Sequence, residues 1–324
     1  MKKIIAGAIA LVMLLAMALS GAALSETGRI SVVTTIFPIY DWARQVVGDR
    51  EGVDVAFLLD SGVDLHSYQP TARDIVDISG CDLFVYVGGE SDEWVEDALA
   101  GAANPDRIVV NLMEAMGEDV REEERVEGME PEEEEEEEEK GEGEAEYDEH
   151  VWLSLRNAQK LVQAIADALG KADPAGAEAY AANAAAYNES LAALDAEYAA
   201  ARQAADFDTL LFGDRFPFRY LTEDYGLNYY AAFSGCSAES EASFETIVFL
   251  AGKVDELGLT TVLTLEGDNH RIAGTVVENT QAKNAKVLAM DSMQSTTAAD
   301  VANGATYLGA MEKNLEVLKQ ALAK

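Results

Sequence analysis

The sequence predicts an α/β protein with two βα lobes. Their parallel sheets are joined by a long rigid helix, with a ligand site in the cleft between them. Three observations carry this. β-prone runs alternate with helical segments in both halves of the chain, which is the pattern of βαβ units. A mid-chain apolar stripe recurs at three- and four-residue steps through Tyr180, Ala184, Tyr187, Leu191, Leu194, Tyr198 and Ala201, marking a helix longer than one lobe needs. The length of 324 residues points to two units of roughly 150 residues each.

The first lobe is expected over residues 26–171. Residues 30–35 are a short apolar strand ending in Thr, and 41–47 a helix. Strand 53–59 and helix 72–79 follow. Residues 82–87, DLFVYV, are a strongly β-prone run that stops at Gly88-Gly89. Helix 94–100 and strand 107–111 come next. Ser154 is placed to cap a helix running to residue 169. The linking helix is assigned to 172–205, with Asp173 as its N-cap and Pro174 in its first turn. The second lobe, 206–324, repeats the alternation. Its strands are 209–212, 229–233, 261–265 and 286–290, and its helices 216–225, 244–257, 272–280 and 305–323.

Two segments stand outside this pattern. Residues 1–25 read as an export signal: Met1-Lys2-Lys3 is basic, 4–19 is apolar, and Ser20-Gly21-Ala22-Ala23 are small. The protein is therefore expected outside the cytoplasm, at the cell surface or in the periplasm. Ala22 stands where a lipobox would carry its cysteine, which argues against a lipid anchor. The second segment is an acidic insert over 118–147. Between Glu118 and Glu149 there are 20 acidic residues against Arg121, Arg125 and Lys140, a balance of −17 out of a net −37. Its unbroken Glu run at 132–139 repels itself and stays solvated, so no folded element is expected there.

Composition excludes several functions. A net charge of −37 argues against nucleic-acid binding, which needs clustered Lys and Arg, and suits cations. Two cysteines, Cys81 and Cys236, exclude a disulfide scaffold and a four-cysteine zinc site. They are expected as buried thiols in different lobes. None of the motifs G-x-S-x-G, G-x-x-x-x-G-K-[ST] or H-E-x-x-H occurs, so the sequence offers no enzymatic motif. The chain has 3 histidines. His66 follows a strand in GVDLHSYQPT, His150 precedes a helix in DEHVWLSL, and His270 follows the TVLTL strand in LEGDNHRIA. All three fall in loops, where ligands of parallel sheets bind, and imidazole is the commonest metal ligand.

TTIFPIYDWA (34–43), GVDLHSYQPT (62–71), DLFVYVGG (82–89) and DEHVWLSL (148–155) resemble the zinc- and manganese-binding solute receptors of bacterial ABC importers, the cluster A-I group. The resemblance covers essentially the whole mature chain. It implies one divalent metal in the cleft, a membrane permease as partner and no covalent chemistry. Members carry a His-rich or acidic loop before the second ligand, which the Glu run matches. His66 and His150 match the first two ligand positions. The third falls on Gly213, in LLFGDRFPFRYL, which has no side chain. His270 is the expected substitute, with Glu266, Asp214 or water as alternatives. Asp291, in MDSMQS, matches the fourth. Three imidazoles and a carboxylate favour Zn2+ over Mn2+. The expected protein is thus a monomeric zinc receptor. A manganese receptor, a secreted zinc-dependent hydrolase and a surface adhesin are the alternatives.

Overall fold

A computed structural model of the protein describes residues 29–101, 103–130, 146–237, 241–267 and 270–324. The export signal and the Glu run at 132–139 lie outside these residues.

The first lobe contains β1 (Ile30–Thr34), α1 (Phe37–Val47), β2 (Val53–Phe57), α2 (Ala72–Gly80), β3 (Leu83–Tyr86), α3 (Trp94–Ala100), β4 (Ile108–Asn111) and α4 (Leu112–Met116). After the insert come α5 (Leu155–Ala172) and α6 (Ala177–Gln203). The second lobe holds β5 (Thr209–Arg215), α7 (Arg219–Tyr225), β6 (Asn228–Phe233), α8 (Phe244–Leu257), β7 (Thr261–Leu265), α9 (Arg271–Asn279), β8 (Lys286–Met290), α10 (Ala298–Ala302) and α11 (Tyr307–Ala321). Each lobe has a four-stranded parallel sheet, ordered β2-β1-β3-β4 and β6-β5-β7-β8. In both, the chain direction across the sheet reverses beside the first strand. Such a switch point leaves a crevice at the carboxyl ends of the strands.

Local chemistry explains the element boundaries. Thr71 closes a capping box with Asp74 at the start of α2, and Ser154 and Ser243 cap α5 and α8 through their hydroxyls. Helices α5 and α6 form an antiparallel pair. Asp173, expected to start the linking helix, instead closes α5: its N–H bonds to Leu169 O at 2.8 Å. Its carboxylate accepts from the Tyr180 hydroxyl at 2.7 Å and pairs with Arg50, and Gly176 takes the N-cap position of α6. That helix begins at Ala177 and runs 27 residues, about 40 Å. The apolar stripe is its buried face. It ties both lobes: Asn183 donates to Val46 O at 2.9 Å, and Tyr198 OH to Met311 O at 2.7 Å.

The lobes share a continuous core containing Trp42, Trp152 and Tyr307. The Trp42 and Tyr307 rings meet edge-on at 5.0 Å. Tyr307 OH donates to Trp152 O at 2.7 Å, and Trp152 Nε1 donates to Ser292 O at 2.9 Å. Asp41, on α1, accepts the Tyr307 N–H at 2.9 Å. The insert expected over 118–147 is ordered at both flanks. Glu122 and Tyr147 form an antiparallel bridge, and Asp148 N donates to Arg121 O at 2.8 Å. Met129 is buried, and Glu130 N donates to Ala232 O of the second lobe at 3.0 Å. Backbone pairing and one apolar anchor thus override the local charge repulsion. No helix among the described residues is long and apolar enough to cross a membrane.

Candidate metal centre

His66 sits in a single helical turn, Leu65–Ser67, beyond the end of β2. Asp64 caps that turn by accepting the His66 N–H at 3.1 Å. The Asp64 carboxylate also accepts Arg215 Nη2, from the end of β5, at 2.8 Å. Burial pushes the Asp64 carboxyl up, but the Arg215 guanidinium outweighs it and holds the group below the ordinary range. His150, fully buried, precedes the turn that leads into α5. Its backbone N–H donates to Asp148 Oδ1 at 2.8 Å, and its Nδ1 lies 3.1 Å from the same oxygen.

These partners settle which ring nitrogens face inward. An ionised Asp148 only accepts, so His150 Nδ1 carries the proton and Nε2 presents its lone pair. Ser91 Oγ lies 2.6 Å from His66 Nδ1, and the Ser91 N–H donates to Glu149 Oε1 at 2.9 Å. The two Nε2 atoms stand 3.3 Å apart. Burial, and then the neighbouring His150, push the His66 imidazole down to about 3, so it is neutral near pH 7. Two imidazole nitrogens facing each other at this distance form half of a cation site once both are unprotonated. Two nitrogens each about 2.05 Å from a tetrahedral zinc would stand ~3.3 Å apart.

Two further groups close in. Cys236 Sγ lies within 4.8 Å of both imidazoles, and no other group of three His, Cys, Asp or Glu side chains among the described residues comes as close together. Gly235 makes this approach possible. A Cβ there would sit 2.9 Å from His150 Cε1 and 3.0 Å from Phe216 O. Gln294, beyond β8, is 4% exposed and places its amide nitrogen 3.4 Å from His66 Nε2, while its Oε1 is buried without a hydrogen-bond partner.

The structure does not bring His270 or Asp291 into this group. His270 caps the start of α9 and lies half-buried, with Nδ1 3.4 Å from Thr264 Oγ1. Asp291 accepts the Met293 N–H at 2.8 Å in its own turn. Burial, and then the charge of Glu266, push its carboxyl up to about 6. Glu266 is itself taken by the Ser292 N–H and hydroxyl, each at 2.7 Å. Asp214 accepts Thr264 Oγ1 at 2.6 Å and Leu265 N at 3.1 Å. Gly213 faces away from the cleft, against α9, where a Cβ would meet Ala273 Cα at 2.5 Å. From that segment it is Arg215 that reaches the histidine turn. The expected buried state holds for Cys81, whereas Cys236 is half-buried, and neither is in a disulfide. The signal for Cys236 was its place just past a strand's carboxyl end, the same signal that marks His66.

Residues 32–321 match the ZnuA family, described as zinc-uptake complex component A, periplasmic. The chain belongs to that family. It is 32% identical over 293 residues to the zinc-binding lipoprotein AdcA of Streptococcus pneumoniae, covering 90% of this chain and 56% of AdcA. The chain therefore spans about half the length of that relative. It is 31% identical over 302 residues to the high-affinity zinc uptake system protein ZnuA of Bacillus subtilis, covering 93% of this chain and 90% of that protein. The crystal structure of the Zn(II)-bound ZnuA-like domain of S. pneumoniae AdcA superposes with a TM-score of 0.70 at 30% identity, over 91% of this chain and 99% of that one. That family and both relatives are named for zinc uptake or zinc binding.

Proposed function

We propose that this protein is an extracytoplasmic zinc receptor that captures the ion between its lobes and delivers it to an ABC importer permease. One observation carries the reading: His66 and His150 aim their Nε2 atoms at each other across 3.3 Å, the separation that two nitrogens on one tetrahedral zinc require. Each imidazole has a hydrogen-bond partner on its other nitrogen, Ser91 for His66 and Asp148 for His150, the usual support of a zinc ligand. The zinc-binding names of the relatives agree with it. A neutral-imidazole pair suits zinc better than manganese, which prefers oxygen-rich, higher-coordinate sites. All of these donors come from one chain, so a monomer suffices.

Protein purified without chelators should contain zinc at one equivalent and should keep it against excess manganese. Manganese retained in preference to zinc would select the manganese receptor instead. Uptake of zinc by membrane vesicles carrying the cognate permease, with and without the receptor, tests delivery. His270 and Asp291, expected as ligands from the resemblance, would have to move to reach this pair, and their variants are considered below.

A further inference from the structure

We propose that Cys236 supplies the third protein ligand of the bound ion, giving a two-imidazole, one-thiolate donor set. This rests on the zinc-receptor reading and names the chemistry of that same site. The thiol carries the proposal together with the two histidines that face it. Its sulfur, His66 and His150 place their donor atoms within 4.8 Å of one another. In a tetrahedral zinc site, nitrogen and sulfur donors at about 2.05 and 2.3 Å stand ~3.6 Å apart. Closing that gap needs a shift of about 1 Å or little more in one loop. By contrast, His270 and Asp291 are committed to contacts within their own loops.

The surroundings favour the thiolate on three counts. Gly235 removes the side chain that would otherwise keep the Cys236 loop off the His150 ring. Arg215 holds the place from which β5 would reach the cleft, paired with Asp64 at 2.8 Å. A guanidinium stays protonated and cannot ligate, so that segment yields no donor and the β6 loop must provide one. The positive charge of the ion is also met. Asp148 backs His150, and Glu149 lies beside His66, its Oε2 3.9 Å from His66 Nδ1. Ligation displaces the thiol proton to solvent. Gln294 stands beside the pair, and a water or its amide oxygen completes the fourth position.

A sulfur donor changes what the receptor accepts. Thiolate selects zinc and softer ions such as cadmium, and disfavours manganese. The test is X-ray absorption on the zinc-loaded wild-type protein, with Cys236→Ser beside it. The expected result is one Zn–S distance at about 2.3 Å in the wild type, absent from the variant, and zinc affinity lowered at least about tenfold. Cobalt-loaded wild type should show a sulfur-to-metal charge-transfer band in the near ultraviolet that Cys236→Ser lacks. A nitrogen- and oxygen-only shell in the wild type, with unchanged affinity in Cys236→Ser, overturns the thiolate and leaves the zinc receptor standing. A wild-type protein that fails to bind zinc tightly overturns the receptor reading itself. The wild-type spectrum decides the matter even if the variant misfolds.

Discussion

The two lobes present different halves of one site. On the first lobe, Nδ1 of His66 and of His150 is held by a hydrogen-bond partner, and their Nε2 atoms already face each other. On the second, the acidic groups near the strand ends are paired within their own lobe: Asp214 to Thr264, Glu266 to Ser292, Asp291 to Met293. Among the described residues, Cys236 and Gln294 are the possible donors that approach the histidines from that side. The first lobe is thus a preorganised claw, and the second supplies fewer and less constrained donors. Preorganisation has a known effect: less ordering is left for the moment of binding. The first lobe should therefore dominate affinity, and the second should tune selectivity.

The largest effect expected from this asymmetry is at His150. It is fully buried and backed by Asp148, and its removal leaves one imidazole. His150→Ala and His66→Ala should each weaken zinc by about 4 kcal/mol, roughly a thousandfold. Competition against a chromophoric chelator measures this. Wild-type-like affinity in either variant would place the ion elsewhere.

An effect of similar size, on stability rather than binding, comes from the scaffold under the claw. Asp92 accepts the Val87 and Gly88 N–H groups at 3.0 Å each, and so shapes the turn that carries Ser91. Burial first, and then the charge of Glu149, push its carboxyl up to about 7 from an ordinary 3.8. The sign follows from linkage. Between about pH 4 and 7 the folded protein keeps this proton while the unfolded chain has lost it. Stability therefore falls as pH rises through that window, by up to about 4 kcal/mol, and flattens above it. Chemical denaturation of apo protein across the window checks this, with Asp92→Asn expected to flatten the slope. An unchanged slope would remove Asp92 as its source.

Much of this architecture was legible in the sequence, and the exceptions have physical causes. Strands β7 and β8 and helices α3 and α8 fall where composition and periodicity put them. Helices α4 and α10, at 5 residues each, are too short to show a period, and are held by caps at Asn111 and Thr297. His66 and His150 were legible because each lies in a loop beside a strongly patterned element. The third position was not. Strand β5 carries a register irregularity between Phe212 and Arg215, and a one-residue slip swaps the faces of a strand. The resemblance put Gly213 at the third ligand position, whereas it packs against α9. Cys236 was passed over because a lone cysteine in a sequence looks like packing.

Next in size is Asp148→Asn. An amide can turn its NH2 toward His150 Nδ1, which then accepts, and the proton moves to Nε2, the atom that should ligate. Loss of such a partner lowers metal affinity by about 10–100-fold. Because His150 would remain in place, the variant separates tautomer control from the ligand itself. Restored affinity in an Asp148→Glu protein would mark the carboxylate as the cause. An unchanged affinity in Asp148→Asn would show that the pair is not tautomer-controlled, and would weaken the contrast between the lobes.

The smallest effect should come from His270→Ala, and it tests the contrast most sharply. The resemblance made His270 a third ligand; the geometry leaves it half-buried at the start of α9, with Nδ1 3.4 Å from Thr264 Oγ1. If the second lobe contributes through Cys236 and Gln294, removing His270 should change zinc affinity by less than about threefold, under 1 kcal/mol. Apo stability should hardly move, since a weak, half-exposed hydrogen bond contributes about 1 kcal/mol or less. A loss matching that of His150→Ala would mean that the loop after β7 swings toward the histidines when the ion arrives. Asp291→Asn distinguishes how far such a swing extends. Its carboxyl is held up at about 6 by burial and then by Glu266, and an ion drawing it into the site would relieve both. Parallel losses in His270→Ala and Asp291→Asn would make the second lobe a closing jaw with its own ligands. Losses confined to the first lobe and Cys236 would leave it a cover over a site built elsewhere.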